Sequence, residues 1–240
     1  MMRSGVAELS AVRGIIGSQG ARDTFGDEGD GPTVLLIPGF LAGDASLEPL
    51  ARHLSAAGYR PLPSGMQRNV DCSERAVARL AERLRELGEP VAVVGHSRGG
   101  MLAHVLARRH PELVTGVVTI GAPRRDPLAL HPAVLAPALS LGIAGSLGVG
   151  GLVRYSCAFG RCCGAFRRDL AAPADPQRPY LAVYSRRDGI VDWRACLDPS
   201  GRHVEVRSTH CGMAEDRVTL HVVRDFLDRL AMPPTLAAAA

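Results

Sequence analysis

The residues Gly95-His96-Ser97-Arg98-Gly99-Gly100 form a short motif that could carry out nucleophilic chemistry. They follow an apolar run typical of a buried strand and precede a segment with the apolar spacing of a helix. A G-x-S-x-G sequence in this context is typical of a sharp turn that exposes the serine hydroxyl, because Gly95 and Gly99 avoid clashes with neighbouring backbone. We therefore predict that Ser97 is a nucleophile beside the positive end of a helix, the alternative being a purely structural turn.

A serine nucleophile needs a base to accept its proton and a carboxylate to orient that base. In doubly wound proteins with this motif, the chain order is serine, then acid, then histidine. Asp188 follows the predicted strand 180–184 and His210 follows the predicted strand 204–206. Both positions lie where parallel sheets place ligands, so we predict Asp188 as the acid and His210 as the base, with Asp192 as the alternative acid.

The remaining histidines fit the role of the base less well. His96 lies inside the turn itself, and we expect it to pack against its surroundings. The others fall on predicted helices or at their ends, in the segment 124–179 or in a loop: His53, His104, His110, His221, His131 and His203.

A tetrahedral intermediate at Ser97 would also need two hydrogen-bond donors for its oxyanion. We predict that one is the backbone N–H of Arg98, the residue after the nucleophile. The second is predicted to be the backbone N–H of Phe40, because Gly39 allows a tight turn after the strand 34–37. An ordinary connection between a strand and a helix is the alternative reading of this turn.

From Thr33 onward, short apolar runs alternate with longer segments of helical periodicity. The predicted strands are 34–37, 59–63, 91–94, 116–120, 180–184 and 204–206, and the predicted helices are 46–57, 73–87, 99–109 and 216–230. Ser73 is the predicted N-cap of the second helix, and Gly88 is its predicted stop. This alternation predicts an α/β fold with a parallel sheet that is covered by helices on both faces.

The alternation breaks between residues 124 and 179. This insertion is too long for an ordinary loop, so we expect a cap with structure of its own between two core segments, 32–123 and 180–232. Its uncharged stretch 132–153 has the length of a membrane helix, but its prolines and glycines favour a soluble lid or a buried helical segment. Residues 1–31 are expected to be a peripheral or poorly ordered extension, and residues 233–240 a frayed tail.

The chain has 240 residues, 46% of them hydrophobic, and a net charge of +4, which predicts one globular domain and excludes a disordered chain. All 28 basic residues are arginines scattered along the sequence, a pattern that argues against nucleic-acid binding. Five of them are expected near the mouth of the site, either solvated or attracting an acidic substrate: Arg98, Arg124, Arg125, Arg186 and Arg187. The N-terminus lacks the apolar core of a secretion signal, so we expect a cytoplasmic location, with export left open.

The six cysteines lack the paired C-x-x-C spacings of a zinc site, so no metal site is predicted. Cys196 and Cys211 follow the loops of the predicted acid and base, so we expect them to be neighbours, either as thiols or as a disulfide. Cys72 is expected to be a buried thiol. A local bridge among the cysteines of the insertion, Cys157, Cys162 and Cys163, stays open.

Five motifs in this order resemble the α/β-hydrolase family, and specifically its small bacterial lipases and esterases, which lack the first two strands of the full fold. The motifs are 34–40, 95–100, 118–123, 184–191 and 209–212, and the resemblance covers most of residues 33–230. The chain departs from the family in two respects. Pro38 stands before Gly39 where the family usually has histidine, and the insertion 124–179 lies where larger relatives carry a cap.

The resemblance implies an α/β-hydrolase fold with a mostly parallel, doubly wound sheet and a helical cap. It also implies a serine hydrolase that cleaves carboxylic esters through an acyl-enzyme, without a cofactor or a metal. The substrate would be a small-molecule or lipid acyl ester, with transient contact between the cap and a lipid interface. An acyltransferase, thioesterase or amidase with the same triad, and a non-catalytic binding module, stay open as alternatives.

Overall fold

Six strands form one sheet in the order β2-β1-β3-β4-β5-β6, and every neighbouring pair is parallel. The computed structural model describes Phe25 and residues 30–127 and 129–232, with the side chains of Ala133, Val134, Pro137 and Ala158 left out. The strands are β1 (Thr33–Ile37), β2 (Arg60–Pro63), β3 (Val91–His96), β4 (Val114–Ile120), β5 (Tyr180–Ser185) and β6 (Arg202–Val206). Most of the predicted extension 1–31 and all of the predicted tail 233–240 lie outside the described residues.

Seven α-helices accompany the sheet in the described part of the chain. They are α1 (Glu48–Ala56), α2 (Ser73–Leu87), α3 (Arg98–Arg109), α4 (Pro132–Ser146), α5 (Tyr155–Ala158), α6 (Gly164–Ala171) and α7 (Arg217–Ala231). Helices α1, α2, α3 and α7 correspond to the four predicted helices. The predicted parallel sheet with helices on both faces is therefore confirmed.

Helix α2 shows how local sequence sets the limits of an element. Its buried residues recur at helical spacing, so one face packs against the sheet. Gly88 ends the helix in the left-handed conformation, with a φ of 78°, as predicted. The predicted N-cap is wrong by one position, because Cys72 is the capping residue and Ser73 is the first residue of the helix.

The ends of two other helices depend on local chemistry. The predicted helix 46–57 begins later, at Glu48, because residues Asp44–Leu47 form a tighter 3-10 turn, and Pro49 lies in the first turn of the regular helix. Helix α7 begins after Asp216, whose side chain accepts the N–H groups of Val218 and Thr219 at 3.0 and 3.2 Å.

The sheet separates two apolar cores. Strand β1 is buried along its whole length, and its side chains alternate between the two faces. Leu35 and Ile37 contact the core under α2, α3 and α6, whereas Val34 and Leu36 contact the core under α1 and α7. A sheet buried on both faces explains why the strands are continuous apolar runs.

Residues 124–179 contain α4, α5 and α6, and connect β4 to β5. Near its start, this insertion pairs with the loop after β5, where the N–H of His131 donates to the carbonyl of Ile190 at 2.7 Å. Near its middle, the N–H of Val153 donates to the carbonyl of Val70, which lies in the loop after β2. Within the described residues, no helix is both long and apolar enough to cross a membrane.

Candidate active site

Ser97 occupies a strained turn between β3 and α3. Its φ of 52° and ψ of −122° are rare for a residue with a side chain, and its N–H donates to the carbonyl of Ile120, the last residue of β4, at 2.7 Å. In the described chain, Leu41 is the other non-glycine residue with a positive φ. Strained residues of this kind cluster at functional sites, and here both flank one edge of the sheet.

The glycines around Ser97 are required by close backbone packing. A Cβ at Gly95 would overlap the backbone of Gly99 and Gly100, and a Cβ at Gly99 would overlap the carbonyl oxygen of Ile37. A Cβ at Gly39 would lie 3.3 Å from the Cβ of Ser97. The turn after β1 therefore lies directly against the turn that carries Ser97, as the motif predicts.

Asp188 and His210 form a buried pair at the same edge of the sheet. The Oδ2 atom of Asp188 lies 2.7 Å from Nδ1 of His210, and the two side chains are 1% and 4% exposed. The Oδ1 atom of Asp188 accepts the N–H groups of Ile190 and Val191, both at 2.8 Å. These bonds hold the carboxylate in one orientation, so it can fix the imidazole ring and its tautomer.

The alternative acid, Asp192, lies elsewhere. Its side chain caps the short 3-10 helix Trp193–Cys196 by accepting the N–H of Arg194 at 3.0 Å, and it is 50% exposed. The structure therefore brings Asp188, and not Asp192, to His210.

His96 is neutral and makes a hydrogen bond to the backbone of His210. Burial, with a smaller effect of the neighbouring His210, lowers the pKa of His96 to about 4, so the ring is neutral at neutral pH. Its Nε2 lies 3.0 Å from the carbonyl oxygen of His210. Because a carbonyl oxygen can only accept a hydrogen bond, Nε2 of His96 carries a proton and is the donor. His96 thus does more than pack, since it holds the backbone of the predicted base.

The predicted oxyanion donors lie on the two turns in contact. Arg98 is the first residue of α3, and the first N–H groups of a helix have no acceptor within the helix. In the turn after β1, the N–H of Leu41, and not that of Phe40, donates to the carbonyl of Asn69 at 3.3 Å. Pro38, which stands where the family usually has histidine, precedes this turn without preventing its approach to Ser97.

Asn69 connects these two turns, although it belongs to none of the sequence motifs. Its side-chain Nδ2 donates to the carbonyl of Pro38 at 2.7 Å, and its Oδ1 accepts the guanidinium of Arg98. The side chain is buried, with 1% of the residue exposed. A polar residue shortly after the carboxyl end of β2 was the available signal, because that edge of the sheet collects ligands.

Two of the arginines expected near the mouth turn their guanidinium groups toward oxygen atoms of the protein. Arg124 is 3% exposed, and its Nε lies 2.7 Å from Oδ2 of the fully buried Asp198. Arg98 turns inward to Asn69, the carbonyl of Asp71 and the hydroxyl of Ser73. The expectation of solvated arginines at these two positions is wrong, because each guanidinium donates to oxygen atoms of the protein, whereas Arg125, Arg186 and Arg187 are exposed.

Cys196 and Cys211 belong to one small apolar cluster beneath the loop of Asp188, together with Ile190 and Val191. The structure has no disulfide between them, nor between any of the cysteines of the insertion.

Comparisons with known proteins agree with this architecture. Residues 71–147 match the family model of the alpha/beta hydrolase fold. Over 119 residues, the chain is 34% identical to the rat (Rattus norvegicus) bifunctional epoxide hydrolase 2, an alignment that covers 45% of this chain and 22% of the rat enzyme. The chain thus spans about a fifth of the length of that curated relative.

Solved structures of bacterial enzymes are similar over nearly their full length. The mature lipase BlEst2 of Bacillus licheniformis has a TM-score of 0.63 at 17% identity, with 86% of this chain and 97% of the lipase covered. Carboxylesterase CesB of Bacillus subtilis has a TM-score of 0.56 at 18% identity, with 94% and 98% covered. The chain therefore has the α/β-hydrolase fold and resembles small bacterial esterases and lipases, as its motifs predicted.

Proposed function

We propose that the protein is a serine hydrolase that cleaves carboxylic esters with Ser97, His210 and Asp188. The observation that carries this proposal is the buried pair of His210 and Asp188, 2.7 Å apart at the sheet edge that also presents Ser97. A histidine held by a buried carboxylate beside a strained serine has the parts of a nucleophilic triad.

In the proposed mechanism, the Ser97 hydroxyl attacks the acyl carbonyl while Nε2 of His210 takes its proton. Asp188 accepts the Nδ1–H of His210 and stabilises the imidazolium that forms. The N–H groups of Phe40 and Arg98 would bind the oxyanion of the tetrahedral intermediate. His210 then returns the proton to the leaving alcohol, and an acyl ester remains on Ser97.

Water completes the reaction by attacking the acyl-enzyme with His210 again acting as base. Because this step requires a carbonyl on the covalent intermediate, it favours esters over epoxides as substrates. Attack of a serine hydroxyl on an epoxide would leave a serine ether, which has no carbonyl for water to attack, whereas an acyl-serine is hydrolysed by the same machinery. The resemblance to the rat epoxide hydrolase therefore supports the fold, whereas a serine, Ser97, at the turn supports acyl chemistry.

We also propose that the insertion 124–179 acts as a cap over Ser97. It is anchored at Ile190, after β5, and at Val70, after β2. These loops lie on opposite sides of β3 in the strand order, which supports a path of the insertion across the edge where β3 ends.

The insertion also exposes apolar side chains. Five of the seven most exposed large apolar residues of the described chain belong to it: Ile143, Leu147, Val149, Tyr155 and Phe159. Such a surface suits contact with a lipid acyl ester or its interface.

The test is hydrolysis of p-nitrophenyl esters from acetate to palmitate, by the wild type and by Ser97→Ala. We expect Ser97→Ala to lower kcat/KM by about 10⁴-fold or more, because the nucleophile is lost while the binding surface stays. The preferred chain length measures the acyl pocket, and a rise in rate above the solubility limit of the long esters would indicate a cap that opens at an interface. A nearly normal rate in Ser97→Ala would contradict the mechanism.

A matched pair of aspartate variants provides the control. Asp188→Asn leaves the shape of the side chain but removes the charge that fixes His210, so a loss of about 10⁴-fold in kcat is expected. Asp192→Asn removes the same charge four residues later, on an exposed side chain, and should leave kcat unchanged. Equal losses in the two variants would argue against the assigned acid.

A further inference from the structure

Four cysteines from distant parts of the chain meet between the core and the insertion. Cys72 occupies the N-cap position of α2, Cys157 lies in α5, and two further cysteines precede α6. The four-cysteine cluster consists of Cys72, Cys157, Cys162 and Cys163. All four Sγ atoms lie within 4.8 Å of one another. The Sγ of Cys72 is 3.6 Å from that of Cys162 and 3.5 Å from that of Cys163, and the Sγ atoms of Cys157 and Cys162 are 3.6 Å apart.

Three of the Sγ–Sγ distances are close to the edge of a tetrahedron of sulfur ligands around one metal ion, and the other pairs lie within 4.8 Å. With Zn–S bonds of about 2.3 Å, the edges of a regular tetrahedron are about 3.8 Å long. A disulfide, in contrast, needs its two sulfurs at about 2.0 Å. Three members of the cluster are buried and Cys162 is exposed, which leaves a path for an ion from solvent.

The surroundings suit a negatively charged metal–thiolate centre. The backbone N–H of Arg154 points at the Sγ of Cys157, 3.5 Å away, and such donors stabilise thiolate ligands. Two guanidinium groups lie on the residues that flank Cys72. Arg98 donates to the carbonyl of Asp71 and to the hydroxyl of Ser73, and Arg75 donates to the carboxylate of Asp71 at 2.6 Å.

We propose that the four-cysteine cluster binds one Zn²⁺ ion as four thiolates. Soft sulfur ligands in tetrahedral geometry select Zn²⁺ among the common divalent ions. Four protein ligands leave no open position for a water molecule, so the site would be structural and not catalytic. The ion would join the insertion, which supplies three ligands, to the core, which supplies Cys72.

The site also lies next to the candidate active site along the chain. Cys72 stands between Asp71 and Ser73, and Arg98 contacts both of these residues. Zn²⁺ would therefore hold the insertion in place beside the residue that follows the proposed nucleophile. This inference is independent of the proposed esterase activity, because metal binding is measured without a substrate.

The experiment measures zinc by elemental analysis in the full-length protein, purified with a mild reductant and without chelators. We expect about one zinc ion per chain in the wild type, and at least about a tenfold loss in Cys162→Ser, because removing one thiolate opens a structural site. Cys162 is exposed, so its substitution leaves the buried cores intact. The matched control is Cys196→Ala, a cysteine outside the cluster, which should keep its zinc.

Substitution of Co²⁺ for zinc gives a second, spectroscopic measurement of the site. Zinc is exchanged for Co²⁺, and intense visible and near-ultraviolet bands of tetrahedral cobalt–thiolate coordination are expected in the wild type but not in Cys162→Ser. Three results would overturn the proposal: wild-type protein with intact thiols and no stoichiometric metal, equal zinc in wild type and Cys162→Ser, or disulfides found by mass spectrometry within the cluster.

Discussion

At the scale of single residues, Asn69 connects the two turns that carry the proposed oxyanion donors. It contacts Pro38, just before the turn that carries Phe40, and the side chain of Arg98. We expect Asn69→Ala to lower kcat for an ester about 10-fold to 100-fold while KM changes little, because the displaced donors stabilise charge that develops only in the transition state. Steady-state kinetics of the purified variant measure both constants.

The neighbouring Arg68→Ala is the control for this prediction, since Arg68 is exposed and adjacent in the chain. It should keep the wild-type kcat. Asn69→Ala will also lose some stability, because the carbonyl of Pro38 and the guanidinium of Arg98 lose a buried partner. The kinetic comparison is therefore made well below the melting temperature, and an unchanged kcat there would contradict the positioning role.

At the scale of elements, the buried pair of Arg124 and Asp198 links the insertion to the core. Arg124 follows β4 and donates to the carbonyls of Leu170 and Ala172, at 2.9 and 2.7 Å, at the end of α6. Asp198 accepts the N–H of Ala174 at 3.0 Å. We expect Arg124→Ala to lower the free energy of unfolding by about 3–5 kcal/mol, because Asp198 keeps a buried charge without its partner. Urea unfolding measures this loss.

Two further variants test whether the unpaired charge of Asp198 causes the loss of stability in Arg124→Ala. Arg125→Ala changes the next residue, which is exposed, and should alter stability by less than about 0.5 kcal/mol. The double variant Arg124→Met with Asp198→Leu removes both charges and should recover much of the loss, because apolar pairs often replace buried ion pairs without cost. If the double variant were no more stable than Arg124→Ala, lost packing and not the unpaired charge would be the cause.

At the scale of the whole molecule, two buried histidines make stability depend on pH. Burial lowers the pKa of His96 and of His104 to about 4; His210 and Asp188 face the first, and Arg124 and Asp198 face the second. The unfolded chain, with ordinary histidines near 6.5, binds more protons between pH 4 and 6.5, so the free energy of unfolding must fall as the pH falls through this window.

From pH 7 to pH 5, we expect a loss on the order of 2 kcal/mol for each histidine. Urea unfolding at the two pH values measures the sum. The variant His104→Gln has no imidazole ring on α3, so its unfolding free energy should fall about half as much between pH 7 and pH 5 as that of the wild type. Equal unfolding free energies at pH 7 and pH 5 in the wild type would show that the two rings are not held neutral by the fold.

The elements and the order of the site residues were predictable from local sequence. Helix α2 has the predicted limits because apolar residues recur at its period and Gly88 ends it. The turn at Ser97 was predictable because only glycine fits at Gly95 and Gly99 beside tightly packed backbone. Asp188 and His210 could be predicted because parallel strands end at one edge of the sheet. The loops after β5 and β6 are therefore neighbours, however the rest of the chain packs.

What the sequence by itself determined is therefore the α/β class, the limits of most elements and the edge at which the chemistry would occur, since these depend on short-range periodicity and turn chemistry. Only the tertiary structure decided which distant side chains meet. Cys72 and Cys157 are far apart in the chain, so no spacing links them, and their sulfurs come together because the insertion packs against the start of α2. The burial of Arg124 was equally invisible, since Arg124 and Arg125 look alike in the sequence and differ only in what packs around them.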